Sequence, residues 1–261
     1  MKKVVLLVVA VCFSVFSFAQ DQNASDLVTK ANDAVTAKDY AKAVELFEQV
    51  LAIPDHGQDV ETITKVLDQL KPIVAKDAAK SAYDSKDYAK AVELYSKIIE
   101  DYPADKAEFS YNAGLAAYQG KDYEKAVDFF SASVEGGYKG ETAQYYKAVA
   151  LNKLNKDAEY KAALEEGVAK FAGDDKLTKA LANVYVSEGN DLYKKGAEIL
   201  SAANTKVNSG SMSTTDDAYT AEVNKAKKEF AAALEVLQKA ASLDASNANA
   251  QKLIDACKAA M

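Results

Sequence analysis

A nine-residue phrase recurs unchanged in this chain. Lys-Asp-Tyr-Ala-Lys-Ala-Val-Glu-Leu stands at Lys38–Leu46 and again at Lys86–Leu94. A third version, Lys121–Phe129, follows 35 residues later with Glu124, Asp128 and Phe129 as its only changes. Recurrence of this kind marks a chain built from stacked supersecondary units, because no single unit can bury its apolar face alone.

Each copy carries the same mechanics. Lys-Asp ends one helix, and Asp39, Asp87 or Asp122 is placed to cap the next through a side-chain oxygen. Apolar residues then recur at helical spacing: Tyr40, Ala43, Val44, Phe47, Val50 and Leu51 in the first copy, and Tyr88, Ala91, Val92, Tyr95, Ile98 and Ile99 in the second. Pro54 and Pro103 stop these helices. Ala43, Ala91 and Ala126 are the small residues that let helices approach. A second helical stretch precedes each phrase, with Ala31, Ala79 or Gly114 as its own small residue. The predicted fold is all-α, an α-solenoid of stacked helix–turn–helix repeats. The 49 alanines of the 261 residues suit it, since alanine loses no side-chain entropy in a helix.

On these residues the chain resembles the tetratricopeptide repeat family, whose unit is a 34-residue helix–turn–helix. Residues 107–140 carry the pattern through Gly114, Tyr118, Asp122, Tyr123, Ala126 and Phe130. Residues 24–57 and 72–105 follow closely. Residues 141–174 keep the period through Ala148, Leu151, Leu164, Gly167 and Phe171, but Tyr160 occupies a place that is usually small. A last repeat spans 175–246, with Leu181, Ala182 and Tyr185 in its first helix and Phe230, Ala233, Leu237 and Ala240 in its second.

Two departures break the period. An extra segment near Gln58–Lys71 either lengthens the helix before the second repeat or adds a separate one. Pro72 favours a break or a kink there. An insertion at about 190–225 interrupts the last repeat. The preferred reading is a projecting hairpin of two overlong helices, the first running 177–207 for about 46 Å. Gly189 and Gly196 weaken that helix by roughly 1 kcal/mol each relative to alanine. The alternative is an extra helix within the stack. Residues 247–260 form a terminal capping helix, with Ala250, Leu253, Ile254 and Cys257 facing inward.

The first 19 residues read as a signal peptide: Lys2 and Lys3, an apolar run from Val4 to Phe18, and small residues at Ser17 and Ala19. Cleavage before Gln20 leaves 39 acids against 30 lysines, a net charge of −9. The rival reading, lipid anchoring at Cys12, is opposed by the apolar Phe13, Val15 and Phe16 that follow. No stable membrane span is expected after cleavage. The expected location is periplasmic, with secretion or lipid anchoring as lesser alternatives, in a bacterial envelope. Only Cys257 then remains, read as a buried small hydrophobe rather than a thiol for a disulfide dimer.

Composition closes off several functions. The acidic balance and the absence of arginine argue against nucleic-acid partners. One histidine and scarce cysteine argue against metal sites and nucleophile–histidine pairs, so no enzyme, metal or cofactor is expected. Gly136–Gly140 reads as an inter-repeat turn and not a phosphate loop. His56 reads as a solvated loop residue. Glu165-Glu166 and Asp174-Asp175 read as solvated surface, because adjacent acids on a helix do not face one another.

In the family that the chain resembles, the first helix of each unit lines a concave groove. That resemblance implies a partner-binding groove of Lys76, Lys80 and Tyr83, then Tyr111, Asn112, Leu115 and Tyr118, then Tyr145, Val149 and Asn152. Tyrosine suits recognition through large area and few torsions, although tyrosines of solenoids also serve as core. Lys179 and Asn183 show the spacing of the family's carboxylate-binding clamp, but the rest of that clamp is not found. The expected function is a non-catalytic scaffold or adaptor of the cell envelope that binds a protein, a peptide or a helix. The alternatives are a self-assembling structural protein, forming homo-oligomers through the hairpin or terminal helix, and an accessory of a glycan-processing or envelope-processing system.

Overall fold

The computed structural model describes residues 19–54 and 56–261. The expected signal segment 1–18 and Cys12 lie outside the described residues. Those described form eleven α-helices and no strand. The chain divides into two compact units at Gly120.

The first unit holds α1 (Ala19–Thr36), α2 (Tyr40–Ala52), α3 (Val60–Asp84), α4 (Tyr88–Asp101) and α5 (Lys106–Gln119), with a short 3-10 turn at Pro103–Asp105 before α5. The repeated phrase builds its turns. Lys38 and Lys86 adopt left-handed backbone, with φ of 62° and 64°. That reversal lets the Asp39 and Asp87 amides donate to the Ala34 and Ala82 carbonyls at 2.9 Å each. The same aspartates then accept from the Lys42 and Lys90 amides at 3.1 Å, capping α2 and α4. The core of this unit runs through Val28, Ala31, Ala43, Phe47, Val50, Ile63, Leu67 and Leu70. Ala31, Ala43, Ala79 and Ala91 are fully buried, as close helix approach requires.

Pro72 does not divide the segment as expected. α3 runs through it unbroken for 25 residues, capped by Asp59, whose carboxylate accepts from the Thr62 amide. The physical reason is packing on both sides of the proline. Ile63, Leu67 and Leu70 are buried before it and Ala79 after it. Lys71 adds an exposed 2.8 Å ion pair to Glu48 on α2. The extra residues therefore lengthen one helix.

The second unit holds α6 (Tyr123–Glu135), α7 (Gly140–Lys153), α8 (Asp157–Lys170), α9 (Asp175–Asn208), α10 (Asp217–Leu243) and α11 (Ala248–Ala260). Lys121 and Asp122 repeat the turn, with φ of 65° at Lys121 and a 3.2 Å bond from the Lys125 amide to Asp122. Residues 136–139 form a turn that leads into α7 at Gly140, and the Ser133 hydroxyl donates to the Tyr138 carbonyl there at 2.7 Å. Helices α9 and α10, of 34 and 27 residues, pair as the long hairpin. Gly189 and Gly196 are buried at that pairing, facing Leu237 and Phe230. The cost they impose on helix propensity comes with close approach of α9 and α10. Helix α11 caps the end: Asn247 accepts from the Ala250 amide at 3.1 Å, and Ile254 and Cys257 pack with Ala233 and Leu237. Cys257 is fully buried, which raises its thiol pKa.

Candidate functional site

The groove residues suggested by the resemblance fall into different environments. In the first unit, Lys76 and Lys80 are exposed on α3 and already engaged. Lys76 pairs with Glu108 and lies 5.8 Å from the Phe109 ring centre, and Lys80 pairs with Asp84. Tyr83 is half-buried and meets Tyr88 edge-on at 5.6 Å. Asn112, Leu115 and Tyr118 are half-buried on α5. Tyr111 is a correction: at 6% exposure it lies in the core and offers no groove surface. The helix around it explains this. Ala113, Gly114, Ala116 and Ala117 are all buried, so small residues let α5 sink nearly all round.

His56 is also corrected. It is 9% exposed rather than solvated, and its Nδ1 accepts from the Gln58 amide at 3.1 Å, closing the turn before α3. Among the described residues, no group of three or more histidines, cysteines or acids is arranged to hold a metal ion.

In the second unit, Tyr145 and Val149 are half-buried on α7, and Asn152 is exposed at its end. Asn152 lies at the edge of an open cavity of about 590 Å³. Its other walls come from the start of α8, through Asp157, Tyr160 and Lys161, and from α9, through Asn183, Val184, Ser187, Glu188 and Asp191. α7 is 14 residues long and α9 is 34. The cavity is therefore a step, where α9 runs on past the turn between α7 and α8.

The walls of the step are tied together. Lys161 on α8 bonds both carboxylate oxygens of Glu188 on α9, at 2.9 and 2.8 Å. The Lys161 ammonium also sits 5.1 Å from the Tyr185 ring centre. The Tyr185 hydroxyl donates to Glu165 at 2.9 Å. Burial, then this carboxylate bond, push its phenol pKa up to about 12. Burial likewise raises Tyr160, with Tyr145 adding to the shift.

The paired acids do more than meet solvent. Glu165 is exposed but accepts from Tyr185, and Glu166 accepts from the buried Gln144 amide at 3.2 Å. Asp174 caps α9 by accepting from the Leu177 amide at 2.9 Å. The motif missed most of the cavity because Tyr160, Ser187, Glu188 and Asp191 lie off its ligand positions. The one available signal was Tyr160 itself, where the pattern calls for a small residue.

Helix–turn–helix repeats define this as an all-α protein of the solenoid class. Residues 76–141 match the family model described as tetratricopeptide repeat. A TPR repeats protein from Bacteroides fragilis has a similar fold, with 23% identity and a TM-score of 0.51 over 73% of this chain and 99% of that one. A tetratricopeptide repeat protein from Parabacteroides merdae is 16% identical, with a TM-score of 0.36 over 91% of this chain and 99% of its own. YrrB, described as a TPR protein with an unusual peptide-binding site, is 20% identical, with a TM-score of 0.39 over 72% of this chain and 95% of its own. No curated protein matches the chain.

Proposed function

We propose that this chain is a non-catalytic protein–protein interaction scaffold of the bacterial cell envelope, taking an extended peptide or a helix along the first helices of its repeats. The carrying observation is the open step in the second unit. It is a cavity of about 590 Å³, edged by the amides of Asn152 and Asn183. The Asn152 amide can both donate and accept, and Asn183, whose Oδ1 already accepts from Asn247 at 3.1 Å, has its N–H groups to donate, which suits a peptide backbone. The half-buried Tyr83, Tyr118 and Tyr145 add amphipathic surface in their own units. The envelope part of the reading is supported by Lys2, Lys3 and the apolar run from Val4 to Phe18. No helix among the described residues is long and apolar enough to cross a membrane.

The test is a crosslinking pull-down from envelope extract, comparing the wild-type chain with an Asn152→Ala, Asn183→Ala, Tyr118→Ala variant of unchanged thermal midpoint. The reading expects one or more proteins retained by the wild type and lost with the variant. Recovery of the same set by both overturns it.

A further inference from the structure

The step beside α7 and α8 exists where the repeat breaks its own rule. Ala43, Ala91 and Ala126 are fully buried at the second-helix position that needs a small residue. The fourth unit puts Tyr160 there, half-buried, with its side chain on the cavity wall. The long α9 then carries Glu188 and Asp191 along the opposite wall. A bulky ring and a helix that overruns its neighbours thus leave a cavity open on unit 2 instead of a sealed contact.

Its charge is one-sided. Three carboxylates, Asp157, Glu188 and Asp191, share the lining with a single ammonium, Lys161, and that ammonium is held by Glu188. Among the described residues Asp157 has no ion pair, and Asp191 has one, an exposed contact with Lys194 at 3.9 Å. The lining itself thus carries a net charge of about −2, answered from outside it only by the long, exposed Lys194 contact, on an open wall that also presents apolar surface, Tyr160 and Val184.

We infer that this step takes a basic peptide segment, with lysine or arginine side chains lying along Tyr160 and Val184 and their cationic heads at Asp157 and Asp191. The long stem of such a side chain covers apolar surface while its head stays wet, which fits a wall of this composition. The Tyr160 ring adds cation–π attraction. Asn152 and Ser187 are at hand for the backbone of the segment. This rests on the scaffold reading above and names its ligand class.

The probe is a fluorescein-labelled hexapeptide of alternating alanine and lysine, amidated at its C-terminus, titrated with the full chain and followed by anisotropy at low and moderate salt. The alanine–glutamate counterpart is run beside it. The lysine peptide is expected to bind, to weaken as salt rises, and to lose about tenfold in affinity with Asp157→Asn, Asp191→Asn, while the glutamate peptide does not bind. Asp216→Asn, Asp217→Asn, which removes two charges at the hairpin turn, is expected to change nothing. The inference is overturned if the lysine peptide fails to bind, if both peptides bind alike, or if the two double variants weaken binding equally. It is also overturned if the chain self-associates and Asp157→Asn, Asp191→Asn abolishes that, since the occupant is then a second copy. Failure here with a partner still retained in the pull-down refutes the ligand class and leaves the scaffold reading standing.

Discussion

Gly196 of α9 faces the Phe230 ring of α10 so closely that a Cβ there would come within 2.7 Å of the ring edge and 3.1 Å of the Ala226 carbonyl oxygen. Gly189 stands in the same relation to Leu237, at 2.5 Å from its Cγ. Phe230 and Leu237 are both buried, so neither can swing away freely. Gly196→Ala and Gly189→Ala should therefore each destabilise the protein by about 1–3 kcal/mol, despite the roughly 1 kcal/mol that alanine gains in helix propensity. Urea unfolding measures this. A raised midpoint would mean that α9 and α10 are not in such close contact.

The left-handed lysines invite the opposite change. At Lys86, φ is 64°, a region where a side chain is strained and glycine is not. Lys86→Gly should raise stability by about 0.5–1 kcal/mol, and Lys38→Gly and Lys121→Gly should act alike. Thermal unfolding of the three variants checks the trend. A uniform loss would show that the turns are not held in this conformation.

The caps make stability sensitive to acid. The bond from Lys125, together with its charge, holds Asp122 below the usual carboxylate range, and Thr62 does the same for Asp59. A carboxylate depressed in the folded state stabilises above its unfolded pKa of ~3.9 and loses that contribution as pH falls through the folded value. Stability should therefore drop below about pH 4. Asp122→Asn keeps the cap but should flatten its share of the slope, because asparagine caps without titrating. Chemical unfolding between pH 2.5 and 5 reads both curves, and parallel curves would refute the assignment.

Tyr185 behaves in the reverse sense. Its phenol is pushed up to about 12, so the bond to Glu165 contributes below an unfolded pKa of ~10 and is lost as pH rises through the folded value. In an alkaline absorbance titration it should be among the last tyrosines to ionise. Tyr185→Phe should remove that late component and cost about 1 kcal/mol at neutral pH. An unchanged titration curve would refute the assignment.

Local chemistry was legible in the sequence, and long-range geometry was not. Asp39, Asp87 and Asp122 could be read as caps because a cap involves residues only three apart. Ala43, Ala91 and Ala126 could be read as approach points because each recurs in register. Pro72 does not break the helix because the burial of Leu67, Leu70 and Ala79 overrides what one missing amide costs. Tyr111 misled because a position in a motif says nothing of how deep its small neighbours let the helix sink. The step at Tyr160 needed the relative lengths of α7 and α9, which no motif encodes.

Cys257 is the single cysteine of residues 20–261, fully buried where α11 packs with Ala233 and Leu237. A thiol so placed reacts with a small reagent only after the terminal helix lifts away. Its labelling rate is therefore a clock for fraying at that end. The chain carries a native reporter of local opening, and lysine-to-glycine or glycine-to-alanine changes elsewhere in the second unit can be sorted by whether they alter its pace.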